Sequence, residues 1–114
     1  MKYTGGCHCK KIEFEVEGVL ESVMECNCSH CSKKGYLLWF LPKTQFSMNS
    51  SAESLNEYTF NKHAIKHKFC ASCGVAPFAF GENKGVETVA INARCLDELD
   101  LSVVKINQVD GKSL

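Results

Sequence analysis

The sequence predicts a mostly β protein of one domain whose short strands are tied together by bound metal. Short apolar or alternating segments separated by turns dominate the chain, which is typical of β-strands. Seven of the eight cysteines are grouped in three tight clusters, a density that favours metal ligation. A length of 114 residues fits one domain, because most domains contain about 100–150 residues. We therefore expect one domain over residues 1–114.

The first half of the chain contains three strand patterns. Residues 12–16 alternate apolar with acidic side chains, which predicts a half-buried strand that Gly18 ends. Residues 19–24 resume an extended pattern toward the middle cysteines. Residues 36–41 are continuously apolar and stop at Pro42, which predicts a central strand buried on both faces.

A short helix and a strand are predicted next. Ser50 with Glu53 three residues later resembles a capping box, which favours a short helix before Leu55. Residues 58–60 then alternate aromatic with polar side chains, which favours a strand.

The last third of the chain is predicted to return to strands. Residues 75–80 form a strand in which Pro77 indicates an edge or a bulge. Residues 86–91 are rich in β-branched side chains and predict another strand. Residues 96–99 resemble one helical turn, and residues 103–109 predict a closing strand.

Charge and hydropathy exclude several classes of function. Thirteen basic residues balance thirteen acidic ones, so the chain lacks the basic character that nucleic-acid binding usually needs. The longest apolar run, residues 36–41, is far shorter than the roughly 20 residues that span a bilayer. No apolar segment follows the N-terminal charge, so we expect no signal peptide and a cytoplasmic location.

The cysteine spacing favours zinc over disulfides. A tetrahedral zinc with bonds of ~2.3 Å to sulfur needs thiolates about 3.8 Å apart, and cysteines one or two residues apart can reach that separation. Disulfides remain the alternative, and would have to link one cluster to another. The three clusters are Cys7 with Cys9, Cys26 with Cys28 and Cys31, and Cys70 with Cys73.

The pair Cys70 and Cys73 is the strongest local signal for zinc. Gly74 follows it directly and can adopt the left-handed turn that brings backbone amides toward the sulfurs. Cys7 and Cys9 are a plausible second half of the same site. Spacing alone leaves open whether the two pairs share one metal.

The middle triplet leaves one zinc position to be filled, and the occupant of that position decides the class of the protein. A side chain there closes the site and makes it structural, whereas solvent or ligand makes it exchangeable. An exchangeable position would hold a thiol as its thiolate, a nucleophile toward small aldehydes. His8 and His30 are expected to point away from the metals as polar surface or supporting groups. The side chains considered for the fourth position are Cys95, His30, His63 and His67.

Three motifs resemble those of the glutathione-dependent formaldehyde-activating (GFA) family. They are GCHC at residues 6–9, CNCSHC at residues 26–31 and FCASCG at residues 69–74. Residues 58–63, His67 and residues 94–97 resemble the branch of this family that contains centromere protein V. The resemblance runs from about Gly6 to Gly111 and implies a β-tent fold of folded antiparallel sheets.

The resemblance also implies roles for the clusters. A structural zinc maps onto Cys7, Cys9, Cys70 and Cys73, and a catalytic zinc maps onto Cys26, Cys28 and Cys31, with Cys95 as a candidate for completing or shielding the second ion. The implied activity is that of a carbon–sulfur lyase acting on the adduct of glutathione, or another thiol, with formaldehyde or a related small aldehyde. The expected partner is thus a small thiol, without membrane or nucleic acid. Two alternatives remain: a non-catalytic zinc-stabilised interaction module and a glutathione-binding carrier.

One departure from the family pattern concerns the second site. Many members follow the middle cluster with a Ser-Gly-rich stretch, whereas here Lys33, Lys34 and Gly35 lead directly into Tyr36. We therefore expect different residues to line the space beside the second metal.

Overall fold

The computed structural model describes residues 1–60 and 64–110, and these residues form two β-sheets. One four-residue helix, α1 (Cys31–Lys34), lies between the third and fourth strands, and short 3-10 turns lie at Lys43–Gln45, Ala52–Ser54, Ala93–Cys95 and Leu101–Val103. No helix within this part of the chain is long enough to cross a membrane. In chain order the strands are β1 (Lys2–Gly6), β2 (Glu13–Glu17), β3 (Ser22–Cys26), β4 (Leu38–Pro42), β5 (Phe46–Met48), β6 (Leu55–Tyr58), β7 (Lys66–Cys70), β8 (Phe78–Asn83), β9 (Val86–Asn92) and β10 (Lys105–Val109).

The smaller sheet has three antiparallel strands in the order β1-β2-β5. Strand β2 shows the alternation predicted for residues 12–16. Phe14 and Val16 face inward and are buried, while the acidic residues beside them face outward. The turn from β1 to β2 carries the first two cysteines. Gly6 is needed there because a Cβ at this position would overlap the carbonyl oxygen of Ile12.

The larger sheet has seven strands in the order β10-β3-β4-β9-β8-β7-β6. Neighbours are antiparallel except β10 and β3, which run parallel. Strand β10 is therefore an edge strand of this sheet, and it lies beside β3, which ends at the middle cysteines.

The hydrophobic core lies between the two sheets. Phe14 from β2 meets Phe78 from β8 edge to face, with ring centroids 5.6 Å apart. Val89 and Ile91 from β9 are fully buried on the same side of the large sheet. We call this side the inner face and the opposite side the outer face.

The prediction that residues 36–41 form a strand buried on both faces is wrong in its second part. Trp39 and Leu41 point to the inner face and are buried, but Phe40 points to the outer face and is 46% exposed. The reason is that the small sheet packs on the inner face, so alternate residues of β4 have different environments.

Two local predictions also need correction. The turn before Leu55 is a 3-10 turn, and the Glu53 amide donates to Ser51 Oγ, whereas Ser50 Oγ accepts the amide of Glu13 from the small sheet. Residues 96–99 do not form a helical turn. The turn occurs earlier, at Ala93–Cys95, and the side chain of Asn92 caps it by accepting the amide of Arg94.

The remaining strand predictions are confirmed with shifted ends, whereas β1, β5, β7 and α1 were not predicted. β7 has the sequence KHKFC, in which alternating lysines obscure the strand pattern. The strand predicted for residues 58–60 ends at Tyr58.

Candidate metal centres

The first and third cysteine clusters come together at one site. Cys7 and Cys9 lie in the turn after β1, and Cys70 and Cys73 lie at the end of β7 and in the turn that follows. Cys9 Sγ lies 3.6 Å from both Cys7 Sγ and Cys70 Sγ. All four sulfurs are within 4.8 Å of one another. These separations fit a tetrahedral zinc, which needs about 3.8 Å between sulfurs, and are too long for disulfides.

Backbone amides point at the sulfurs of this four-cysteine cluster. The amides of Ser72 and Cys73 both donate to Cys70 Sγ at 3.4 Å, and the amide of Ile12 donates to Cys7 Sγ at the same distance. Gly74 has a φ of 80°, as the sequence predicts, and its amide closes the turn onto the Cys70 carbonyl oxygen at 2.9 Å. Amide donors stabilise thiolates, so this geometry favours the deprotonated form that binds metal.

The thiols in this cluster differ in pKa, so they do not all ionise at neutral pH without a cation. The amide of Val75 makes the largest contribution to lowering the pKa of Cys73, to about 6. The amide of Lys11 acts in the same direction on Cys9, but burial and the neighbouring thiols raise its pKa to about 11. Four thiolates this close repel one another, so full ionisation requires a cation between them. The donor set therefore fits a metal ion.

The middle cluster forms a separate group of three sulfurs. Cys26 ends β3, Cys28 lies in the following loop and Cys31 begins α1. Their sulfurs are all within 4.8 Å of one another, so these residues could also hold a metal ion. The Cys28 amide donates to Cys26 Sγ at 3.5 Å, and the Cys31 amide donates to Cys28 Sγ at 3.3 Å. Gly35, with a φ of 71°, ends α1 and turns the chain into β4.

The sulfurs of the triplet also differ in pKa. Burial, followed by the neighbouring thiols, raises the pKa of Cys31. Burial opposes ionisation of Cys28 too, but the amides of Cys31 and His30 together with the neighbouring thiols lower its pKa. As in the first cluster, a cation is needed before all three can be thiolates.

Cys95 is not brought together with the triplet. Within the described residues, it belongs to neither group of mutually close sulfurs. Its thiol donates to the carbonyl oxygen of Ala76 at 3.9 Å. Burial makes the largest contribution to raising its pKa to about 11, followed by the thiols of Cys7 and Cys73, so Cys95 lies in the electrostatic range of the first cluster.

The histidines considered as ligands have different surroundings. His8 is exposed. His30 and His67 do not join either group of sulfurs, and His63 lies outside the described residues.

A pair of histidines, of which His67 is buried and His30 half-buried, lies next to the triplet. The rings of His30 and His67 have centroids 4.1 Å apart and pack with Phe60 at 5.0 and 5.5 Å. The pKa of His67 is lowered to about 4, chiefly by burial and then by the charges of His30 and Lys34. Burial and Lys34 also lower the pKa of His30. Both imidazoles are therefore neutral at pH 7.

Tyr36 belongs to the same buried group. Its ring is 2% exposed, and its hydroxyl has no hydrogen-bond partner in the part of the chain described here. Burial, with Cys31 and Cys95 nearby, raises its pKa to about 12. Sequence reasoning considered His67 only as a ligand and did not single out Tyr36, because nothing in their local sequence shows that they share a buried space.

A cavity of about 220 Å³ contains the triplet on its wall. The rest of the described wall consists of His67, Phe60, Ile65 and apolar side chains from β3, β4, β8, β9 and β10. The cavity abuts a larger groove of about 430 Å³ on the outer face of the large sheet. The triplet is thus beside a space that can take a small molecule.

Comparison with known proteins decides the family. The model of the family described as glutathione-dependent formaldehyde-activating enzyme matches residues 2–108. The chain belongs to the GFA family. This match confirms the resemblance predicted from the three cysteine motifs, whereas the finer resemblance to the centromere protein V branch stays a prediction.

A solved structure of a Rhodobacter sphaeroides protein, determined as a structural-genomics target, has the same fold. It superposes with a TM-score of 0.80 at 27% sequence identity, and the match covers 91% of this GFA-family chain and 99% of that chain. The predicted mostly β fold is therefore confirmed.

Proposed function

We propose that this GFA-family protein is a zinc-dependent carbon–sulfur lyase acting on the adduct of a thiol, such as glutathione, with formaldehyde or a related small aldehyde. The observation that carries the proposal is the triplet of Cys26, Cys28 and Cys31, whose sulfurs form one wall of a cavity without a fourth described ligand. A site of three protein ligands beside a cavity is typical of catalytic zinc, whereas four ligands are typical of structural zinc.

The two clusters would have different roles, one structural and one catalytic. The sulfurs of Cys7, Cys9, Cys70 and Cys73 could provide all four ligands of one ion and join two turns that are far apart in the chain, 61 residues separating Cys9 from Cys70. A metal bound there contributes directly to folding free energy. The triplet lies within one short segment and closes no comparable long loop. It is therefore the better candidate for chemistry.

In the synthetic direction the reaction forms one carbon–sulfur bond, opens the π bond of the carbonyl group and transfers one proton. In the synthetic direction the thiol sulfur forms a bond to the aldehyde carbon, and the thiol proton moves to the carbonyl oxygen; the lyase direction is the reverse. A zinc ion held by the triplet would supply a position at which the thiol is bound as its thiolate. The neutral imidazole of His67, on the cavity wall, can accept a proton at a ring nitrogen and return it to oxygen.

The proposal can be tested by following exchange between formaldehyde and its thiol adduct. Carbon-13 formaldehyde mixed with glutathione forms the adduct spontaneously, and the zinc-loaded protein is expected to speed the exchange seen by NMR. Cys26→Ser should remove the acceleration, whereas Ser32→Ala, in the short helix that begins at Cys31 but not a ligand, should retain it. A folded two-zinc protein that leaves the exchange rate unchanged would support an interaction module or a carrier instead.

A further inference from the structure

We propose that the thiol bound at the triplet carries an uncharged apolar chain, which lies in the cavity and groove on the outer face of the large sheet. The site would then favour apolar thiols and their aldehyde adducts over glutathione. This inference rests on the proposed function, since it names the class of thiol that the triplet receives.

The outer face next to the triplet is made of apolar side chains from adjacent strands. Met24 pairs with Leu38 across β3 and β4, and Phe40 pairs with Ala90 across β4 and β9. Ala79 of β8 pairs with Ala90 in turn. Because side chains alternate along a strand, these residues share the face that carries Cys26, two residues after Met24. Small side chains in the middle and larger ones at the sides give this face a groove.

The cavity at the triplet and the larger groove adjoin each other, because five residues line both. One apolar path therefore leads from the three sulfurs along the sheet toward the end of β8. The groove alone, at about 430 Å³, falls within the roughly 300–1,000 Å³ typical of small-molecule sites. The residues that line both spaces are Met24, Phe40, Ile65, Ala79 and Ala90.

Charged groups are scarce along this path. Among the described residues that line the cavity at the triplet, none is a lysine, arginine, aspartate or glutamate, and His67 is neutral. The described lining of the larger groove includes one charged side chain, that of Glu82. Glutathione has two carboxylates and an ammonium group, and burying an unpaired carboxylate is costly. An acidic side chain at the far end of the groove adds repulsion.

The two described lysines that follow the triplet in sequence line a neighbouring hollow, which shares Phe60 with the cavity at the triplet. Lys33 and Lys34 face a space of about 510 Å³ together with His30 and aromatic side chains. None of the described residues lining that hollow is a cysteine of the triplet. A thiol held by the triplet and extended along the apolar path would contact neither of these lysines, because neither lines the cavity or the groove.

Three large apolar side chains along the path are exposed. Phe40 is 46% exposed, Met24 41% and Ile65 53%. Grouped exposed apolar side chains mark binding surfaces more often than isolated ones do. The three sulfurs at one end of the path favour a small thiol as the occupant, because a metal ion held by them would provide a chemical anchor that a covering protein surface would not use.

Titration calorimetry of the zinc-loaded full chain tests this inference with a matched series of thiols. The series is ethanethiol, 1-hexanethiol, 6-mercaptohexanoate and glutathione. Affinity should rise about fourfold for each methylene buried between ethanethiol and 1-hexanethiol. 6-Mercaptohexanoate and glutathione should each bind at least about tenfold more weakly than 1-hexanethiol. Equal affinity across the series, or tighter binding of glutathione, would overturn the inference.

Two variants test where the alkyl chain of the bound thiol lies. Phe40→Ala removes one wall and should weaken 1-hexanethiol about tenfold while ethanethiol changes little. Ile106→Ala is the matched control, because Ile106 is similarly exposed at 43% but pairs with the buried Val23 and so points to the opposite face. Ala90→Leu, which narrows the same path, provides a second variant should Phe40→Ala fold poorly. If both wall variants bind 1-hexanethiol with the same affinity as the control, the alkyl chain lies elsewhere and the inference fails.

The same samples separate failure of this inference from failure of the proposed function. X-ray absorption at the zinc edge counts sulfur ligands with and without thiol. Added sulfur without chain-length selectivity leaves the open zinc site standing and overturns the apolar path alone. No added sulfur with any thiol overturns both. Sedimentation shows whether a second copy covers Phe40, and a stable dimer closed over this face would also overturn the inference.

Discussion

The rings of His30 and His67 lie 4.1 Å apart between centroids, and no hydrogen-bond partner in the described structure reaches any of their four ring nitrogens. Buried polar nitrogens without partners are costly, so a protein retains them chiefly where they serve a purpose. His67 lines the triplet's cavity, and this position connects it with the proposed proton transfer. The neutrality of both rings at pH 7 follows from burial, which penalises the charged imidazolium.

Stability should fall as the pH is lowered through the range set by His67. Its pKa is about 4 in the folded protein and about 6.5 in an unfolded chain, so below pH 6.5 the unfolded state binds more protons. The stability that the neutral ring provides is complete above pH 6.5 and is lost progressively toward pH 4. His67→Phe removes this proton uptake, so its melting temperature should fall less than that of the wild type over the same range.

Loss of metal at acidic pH affects both proteins, so the difference between the two melting curves is the quantity to compare. His8→Gln is a suitable control because His8 is exposed, and its curve should run parallel to that of the wild type. A His67→Phe curve that also runs parallel to the wild type would show that His67 is not buried as a neutral group.

Cys26→Ser should lose the second metal and keep the fold. The triplet would retain two sulfurs, too few for a stable zinc site, while the four-cysteine cluster would be unchanged. We expect zinc analysis to fall from two ions per chain to about one, with a cooperative melting transition preserved. Unfolding of the variant would instead show that the middle site is structural.

Cys70→Ser should cost stability first. Cys70 is 1% exposed, accepts two amide hydrogen bonds and belongs to the cluster that joins β7 to the turn after β1. Loss of a structural zinc is expected to cost at least about 3 kcal/mol, or roughly 10 °C or more in melting temperature for a domain of this size. Ser72→Ala, in the same turn but not a ligand, is the control. A melting temperature within a few degrees of the control would contradict the assignment of this site.

Cys95→Ser should leave both metals in place. Its sulfur belongs to neither group and makes one long hydrogen bond, to the Ala76 carbonyl oxygen. We expect two zinc ions per chain and a change in stability within about 2 kcal/mol, measured by zinc analysis and thermal unfolding. Loss of one zinc would make Cys95 a ligand and would close the site that the proposed function requires to be open.

The average number of sulfur ligands per zinc provides an independent check. One four-sulfur and one three-sulfur site average to 3.5 sulfurs per ion. X-ray absorption should give this value for the thiol-free protein and a value near 4 after a tightly bound thiol is added. A value of 4 before any thiol is present would indicate two closed sites.

The sequence by itself determined the family and the cysteines that could hold metal. Cysteines one or two residues apart are constrained by local geometry, so Cys26, Cys28 and Cys31 converge whatever the rest of the chain does. The alternation of Phe14 and Val16 likewise shows directly which side of β2 is buried.

The tertiary structure decided what surrounds these residues. The apolar run that contains Phe40 predicts burial on both faces, but burial depends on which layer packs against the sheet, and the small sheet covers only the inner face. The pairing of His30 with His67 joins two segments far apart in the chain, and the position of Cys95 depends on how the turn after β9 meets β1. Such long-range packing is not encoded in local spacing. It is this packing that places an apolar path, rather than a charged one, beside the three sulfurs.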